Sequence, residues 1–241
     1  MDETTNEADP RLTRQEISAA VSGLGWRLIL GALQTYVLVA SLADAVQVIA
    51  SVSSVAGDEA GPSLRADVRA DRAVLTLQSP ETGWVTSHEL ELARRISALV
   101  TGHGLKTTAG DTTAGPLATR PVQGLEIAID ALDIAAVRPF WQAVLGYVDE
   151  PGQDEPPNGL VDPVGQGPAI WFQQMDAPRP QRNRIHFDVW VPDDEAAGRI
   201  AATLAAGGTL RSDAEAPAFW VLADAEGNEV CVCTWQDRDQ A

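Results

Sequence analysis

Apolar and polar positions follow the same order twice in the second half of the chain. Residues 124–147 (GLEIAIDALDIAAVRPFWQAVLGY) and residues 184–208 (RIHFDVWVPDDEAAGRIAATLAAGG) each begin with the alternation of a strand and continue with helical spacing. Downstream, GPAIWF at Gly167 corresponds to GNEVCV at Gly227. One offset of 60 positions holds throughout, as in the pairs Glu126 and His186, Asp133 and Asp193, and Phe140 and Ile200. This constant offset indicates a duplicated module, and each copy predicts a strand, a helix and three short strands.

Residues typical of helix ends support the two predicted helices. Asp133 and Asp193 stand where N-caps are expected, and Gly146 and Gly207 stand where the helices should end. Pro139 falls inside the first of these helices, so we expect that helix to start late or to kink just before the proline.

The first half of the chain has a different order of helix and strand patterns. Thr13 followed by Glu16 is the capping-box pattern of a first helix, and Thr86 is expected to cap the last helix of this half. Between them, two alternating strand pairs flank an apolar helix over residues 42–55. The fold class is therefore predicted as α+β, with an αββαββα domain followed by a tandem βαβββ domain.

The length of 241 residues is enough for two domains. We expect a disordered tail over residues 1–10 and a first domain over residues 11–101. A linker rich in Gly, Thr and Ala follows over residues 102–121, before a second domain over residues 122–241.

The formal net charge of -17 limits the classes of partner. Nucleic acid is excluded because phosphate contacts need clustered Lys and Arg, and an anionic membrane surface is excluded for the same reason. The apolar run over residues 28–55 contains polar residues and changes period, so it predicts strands and a helix rather than a membrane span. Cys231 and Cys233 share one face of a predicted strand, so we expect free thiols. With no secretory signal pattern at the N-terminus, these features predict a cytoplasmic protein.

The first half resembles the pterin-4a-carbinolamine dehydratase family over about residues 11–101, through LTRQEI, the long apolar helix and VTSHELELARRI. That resemblance implies a His-His-Pro run after the long helix and a further histidine after the last strand. Here the run falls on Ala60-Gly61-Pro62 and the further histidine on Pro80, and the family's acidic residue survives as Glu89. Alanine and proline cannot transfer protons, so we expect a catalytically silent domain. The alternative is residual pterin dehydration that uses Glu89.

The second half resembles the vicinal-oxygen-chelate superfamily, which includes glyoxalase, bleomycin-resistance and dioxygenase proteins, in its glyoxalase-like branch. The paired modules carry this resemblance, together with FWQAVLGY, IHFDVWV and DAEGNEVCV. It implies one divalent metal held by the first and last strands of each module. Transferred to this chain, the implied positions are Glu126, Trp171, His186 and Cys231, with Glu229 on the same face as Cys231.

Tryptophan cannot bind a metal, so the implied metal site is degenerate. We therefore predict a protein that binds a small apolar or aromatic molecule without a cofactor, with Trp171 as a stacking wall and Glu126 and His186 as polar anchors. The full set of predicted ligand-binding residues is Trp171, Phe172, Gln173, Trp190, Trp220 and Glu229. The alternative is a metal-dependent lyase, isomerase or dioxygenase in which Glu126, His186 and Cys231 hold zinc, iron, manganese or nickel. Both resemblances also imply a homodimer.

Overall fold

The computed structural model describes residues 12–57, 62–110, 121–152, 159–178 and 185–237. The chain divides into two compact units, Met1–Gly124 and Leu125–Ala241. Within the described ranges, no helix is both long enough and apolar enough to cross a membrane.

The first unit has the predicted αββαββα order. Its helices are α1 (Arg14–Val21), α2 (Leu42–Ala56) and α3 (Ser87–Gly102), and its strands are β1 (Arg27–Ile29), β2 (Ala32–Leu38), β3 (Leu64–Val68), β4 (Arg72–Leu77) and β5 (Thr107–Thr108). The strands form an antiparallel sheet in the order β1-β2-β4-β3, and β5 also pairs with β2. Because β5 lies within residues 102–121, the segment predicted as a linker begins inside the fold of this unit.

Capping boxes start two helices of the first unit. The box at Thr13 was predicted, whereas at Thr86 only a cap was predicted. The Thr13 side chain accepts a hydrogen bond from the Glu16 backbone at α1, and the Glu16 carboxylate accepts one from the Thr13 backbone. The same reciprocal arrangement joins Thr86 and Glu89 at α3. Each box satisfies N–H groups that a helix start otherwise leaves without a partner.

The second unit contains the predicted βαβββ order twice. The first module consists of β6 (Glu126–Ala131), α4 (Ile134–Leu145), β7 (Val148–Asp149), β8 (Gly159–Val161) and β9 (Ala169–Gln174). The second consists of β10 (Phe187–Trp190), α5 (Ala196–Ala205), β11 (Thr209–Ser212), β12 (Phe219–Ala223) and β13 (Glu229–Cys233). The α+β fold class is thereby confirmed.

Strand pairing shows how far the repeat extends. In both modules the first strand pairs in parallel with the last, so that Ala128 lies opposite Trp171 and Asp188 lies opposite Cys231. Ala128 and Asp188 are 60 positions apart, and so are Trp171 and Cys231. The third strands depart from it, because the equivalent residues Leu160 and Leu222, which lie opposite Ile170 and Val230, are 62 positions apart.

Helix ends in the second unit depart from the predictions in two places. Asp133 caps α4 as predicted, through a 3.0 Å hydrogen bond from the Ala136 backbone, and α4 begins directly after it. The late start proposed because of Pro139 is therefore wrong, and the proline is accommodated inside the helix. Asp193 does not cap α5, because its carboxylate accepts a hydrogen bond from the Trp235 indole at 3.1 Å and the helix begins later, at Ala196.

The two modules share one hydrophobic core, which joins side chains of α4 to those of both sheets. Phe140 and Trp141 are fully buried in it, and the Trp141 ring meets the ring of Phe187 edge-on at 5.8 Å. The strand residues that face this core include Ile129, Phe172, Leu222, Val230 and Val232. Because strand residues alternate between faces, their neighbours face away from the core.

Candidate functional site

We call the sheet surface that faces away from this core the open face of each sheet. On the first sheet it carries Glu126, Ala128 and Asp130 from β6 and Trp171 and Gln173 from β9. On the second sheet it carries Asp188 and Trp190 from β10, His186 directly before β10, and Glu229 and Cys231 from β13.

Three metal-ligating side chains meet on the open face of the second sheet. His186 Nδ1 lies 3.3 Å from Asp188 Oδ1 and 3.8 Å from Cys231 Sγ. One ligand atom from each of the three residues lies within 4.8 Å of the others. The His186 and Asp188 side chains are 59% and 49% exposed, whereas Cys231 is buried and only 7% exposed. The cluster is therefore open to solvent on one side and anchored in the sheet on the other.

Asp188 was not among the predicted site residues. The sequence did hold a signal for it, because alternation from His186 places residue 188 on the same face. Its position opposite Cys231 in the ladder then brings carboxylate and thiol together.

Burial raises the pKa of Cys231 to about 12, and the negative charge of the Asp188 carboxylate adds to the effect. The side chain is accordingly a neutral thiol near pH 7, because the thiolate would have to form in a desolvated position beside a carboxylate. Cys231 and Cys233 are both free cysteines, as predicted.

Glu126 lies apart from this cluster. If Glu126 were buried, its carboxylate would need a partner, such as His186, or a metal, or water in a cavity. Glu126 is instead the exposed first residue of β6, and His186 has Asp188 as its acidic neighbour. Among the described residues, the group able to hold a metal consists of His186, Asp188 and Cys231 and does not include Glu126.

Two predicted ligand-binding residues lie on the core side of their strands. Phe172 is 1% exposed within the core, and Trp220 packs against the same core. Both follow from alternation, since Phe172 adjoins Trp171 and Trp220 adjoins Val221, which lies opposite Cys231. Trp171 is half-buried on the open face, Gln173 is exposed, and Trp190 is 57% exposed. Glu229 is half-buried.

In the first unit, Glu89 is fully committed to structural hydrogen bonds. It is 1% exposed, and its Oε1 accepts a hydrogen bond from Ser63 Oγ at 2.8 Å. Its Oε2 accepts two more, from the Thr86 backbone at 2.8 Å and from Thr86 Oγ1 at 2.7 Å. Pro62 adjoins Ser63 and Pro80 is exposed after β4, while Ala60 and Gly61 lie outside the described residues.

Comparison with known proteins shows what the second unit is similar to. Residues 126–233 match the family model of a glyoxalase-like domain. We refer to this region as the glyoxalase-like domain because of that similarity. No curated protein matches the sequence.

Solved structures similar to parts of the chain fall into two groups. A glyoxalase-related enzyme from Fulvimarina pelagi is 18% identical, over 46% of this chain and 87% of that one, with a TM-score of 0.37. The fosfomycin resistance protein FosX from Listeria monocytogenes, in complex with Mn(II) and a dihydroxypropylphosphonic acid, is 13% identical over 47% and 93%, with a TM-score of 0.36. A transcriptional coactivator/pterin dehydratase from Brucella melitensis is 22% identical over 37% and 97%, with a TM-score of 0.34.

The donor set in the glyoxalase-like domain fits a divalent metal such as zinc. Imidazole, carboxylate and thiolate are all zinc ligands, and three protein ligands leave a coordination position open. Binding would require Cys231 to lose its proton to solvent, which makes metal affinity depend on pH. All three candidate ligands come from the second module, whereas the family resemblance implied a set shared between the modules.

Proposed function

We propose that the glyoxalase-like domain binds a small, largely apolar or aromatic molecule on its open faces, and that it acts by sequestration or sensing. The observation that carries this proposal is Trp171. It occupies the same place in the strand ladder as Cys231 does in the second module, so an aromatic wall stands where a ligand of a shared metal would be needed.

The surroundings of Trp171 support an aromatic ligand. A half-buried indole offers a stacking surface, and Gln173, Glu126 and His186 supply hydrogen-bonding groups on the open faces. A mostly apolar surface with a few polar groups is the usual composition of a small-molecule site.

The test is a screen of small aromatic compounds against the full chain, read out by tryptophan fluorescence and confirmed by calorimetry. Trp171→Ala should lower the affinity for each ligand of this site by about tenfold or more, because it removes the stacking partner. Trp235→Ala is the matched control, since Trp235 is exposed and its indole donates a hydrogen bond to Asp193. The proposal would be contradicted by ligands that bind both variants equally well, or by a screen that finds no ligand.

A metal-dependent lyase, isomerase or dioxygenase is the second candidate, favoured by the close approach of His186, Asp188 and Cys231. A divalent ion bound there would act as a Lewis acid that polarises a substrate oxygen. Zinc titration of the full chain, followed by calorimetry, separates the candidates. Uptake of one equivalent that is lost in His186→Ala and in Asp188→Ala, but kept in Glu126→Ala, would support the metal site.

We further propose that the first unit does not dehydrate pterin carbinolamines. Glu89, the one surviving acidic group of the implied site, is buried and accepts hydrogen bonds from Ser63 and Thr86. In a dehydration assay the full chain should not exceed the uncatalysed rate. Turnover that Glu89→Gln abolishes in a folded protein would instead establish the third candidate, a residual dehydratase. The homodimer, the cytoplasmic location and the exclusion of nucleic acid stay predictions.

A further inference from the structure

A cavity of about 570 Å³ lies in the first unit, lined by residues between 39 and 51, in and just before α2, and by the C-terminal end of α3 with the segment after it. The residues that correspond to the pterin site occupy the opposite ends of these helices, with Pro62 after the end of α2 and Glu89 in the first turn of α3. The lining residues are therefore different from those of the site that the family resemblance implies, and all of them belong to the first unit. Its volume is within the range of about 300–1,000 Å³ that small-molecule pockets have.

The two sides of the cavity differ in polarity. Asp44, Gln47 and Ser51 line it from α2, and their spacing of three and four residues places them along one face of the helix, although the apolar Val48 and Ala50 of α2 line it too. The side formed by α3 and the segment after it is mainly apolar, with Leu99, Val100 and Leu105, although His103 also lines it. A molecule that fits must therefore present a polar group to α2 and an apolar body to α3.

The charge of the lining favours a cation. Asp44 is the one carboxylate among the lining residues, and no Lys or Arg lines the cavity. The Asp44 carboxylate is positioned by Ser41, whose Oγ donates to Oδ2 at 2.8 Å and accepts the Asp44 N–H at 3.2 Å. In the part of the chain that the structure describes, Asp44 forms no ion pair. The net charge of -17 strengthens the attraction for a cation.

We propose that this cavity binds a small amphiphilic amine, with its protonated nitrogen on Asp44 and its apolar or aromatic body against Leu99, Val100 and Leu105. A fixed carboxylate in the lining of a largely apolar cavity selects for a molecule that joins one positive charge to an apolar body. The inference is independent of the function proposed for the glyoxalase-like domain.

The test compares three probes with the same body, phenylbutylamine, phenylbutanol and phenylbutyrate, by NMR titration of the labelled full chain. The amine should shift the amide signals of cavity residues saturably, and its affinity should exceed that of the alcohol by about tenfold, as expected for a charge-assisted hydrogen bond. The carboxylate should bind more weakly still. Equal affinity for amine and alcohol, or no saturable shift at the cavity, would overturn the proposal.

Variants localise the effect. Asp44→Asn keeps the size of the side chain and should reduce affinity for the amine by about tenfold while leaving that for the alcohol unchanged. Gln47→Lys, at an exposed rim position, should repel the amine without disturbing the core. Glu81→Gln is the matched control, because it removes the same charge from an exposed position outside the cavity and should change nothing.

Two results would contradict the assignment to Asp44. One is amine binding that survives both Asp44→Asn and Gln47→Lys in folded protein. The other is a dimer, seen by sedimentation, that Gln47→Lys dissociates and that amine does not displace, because a second copy of the chain would then occupy the cavity.

Discussion

The two modules of the glyoxalase-like domain share a strand register but differ in the side chains placed on it. Ala128 and Trp171 face each other in the first module, and Asp188 and Cys231 face each other at the equivalent position of the second. One backbone position thus presents an aromatic wall in one module and a thiol beside a carboxylate and an imidazole in the other. Duplication preserves the ladder, and single side chains decide what chemistry each copy offers.

A second comparison concerns the turn that follows the third strand of each module. Asp162 and Asp224 both begin such a turn, and a glycine with positive φ comes three residues later, Gly165 at 74° and Gly227 at 87°. Each aspartate accepts hydrogen bonds from the backbone N–H groups two and four residues later, namely Val164 and Gln166 for Asp162, and Glu226 and Asn228 for Asp224. The turns are therefore equivalent in structure.

The two aspartates differ in what surrounds them. Asp224 is 3% exposed and also accepts the Trp141 indole N–H at 3.0 Å, which ties the turn of the second module to the helix of the first. Asp162 is half-buried and bonds within its own loop, where Gly167 donates a further backbone N–H at 2.8 Å. The same turn thus links the modules in one copy and closes a loop in the other.

The largest expected effect is that of Asp224→Ala. This change leaves the buried Trp141 N–H and two turn N–H groups without an acceptor, so the free energy of unfolding should fall by about 3 kcal/mol or more. Asp224→Asn keeps an acceptor and should cost less. Urea unfolding of the full chain, followed by tryptophan fluorescence, measures both. A loss for Asp224→Ala no larger than that for Asp162→Ala would break the distinction between the turns.

Most of the fold could be predicted from short-range sequence patterns. The capping box at Thr13, the caps at Thr86 and Asp133 and the order of elements depend on neighbours within about four residues, and all are confirmed. Asp193 shows the limit of such rules, because its carboxylate bonds to Trp235, 42 residues away. Sequence position alone gave no sign of that competition.

The site was harder to predict than the fold, because it depends on which strand face is covered. Alternation places Trp171 and Phe172 on opposite faces of their strand, but both were predicted to bind the ligand. Glu126 is exposed because it is the first residue of β6. Its exposure depends on the tertiary structure and cannot be read from the periodicity of the sequence. Asp188 could have been predicted from the sequence, because it follows His186 by two residues and therefore lies on the same strand face.

A smaller effect is expected for Asp162→Ala, which should lower the free energy of unfolding by about 1 kcal/mol because water can replace an acceptor in this accessible loop. Burial disfavours the charge of Asp162, but hydrogen bonds from the backbone of Gly167, Val164, Gln166 and Gly165 outweigh burial and lower its pKa. The contribution is thus fully present above the unfolded pKa of about 3.9 and is lost as pH falls through the lower, folded pKa.

Thermal unfolding of wild type and Asp162→Ala between neutral and acid pH checks this dependence. The difference between the two proteins should be constant near neutral pH and should shrink below about pH 4. Asp71→Ala is a useful control, because the pKa of Asp71 is lowered mainly by Arg72 in the first unit rather than by a turn of the glyoxalase-like domain. A difference that grows in acid would show that Asp162 does not favour its charged form in the fold.

The smallest expected effect concerns the reactivity of Cys231, measured by alkylation with iodoacetamide in a Cys233→Ala background. Because burial and the Asp188 carboxylate raise the pKa of Cys231 to about 12, the rate in the folded protein should climb about tenfold per pH unit between pH 7 and pH 10, without a plateau. Asp188→Ala installs the residue that the first module has at this position, so it should lower the pKa and accelerate alkylation several-fold. Burial remains in that variant, and the reaction should therefore still be slower than that of the unfolded chain. A plateau near pH 8 in the Cys233→Ala protein that keeps Asp188 would show that the thiol is already ionised. The second module would then differ from the first by a reactive thiolate rather than by a neutral thiol.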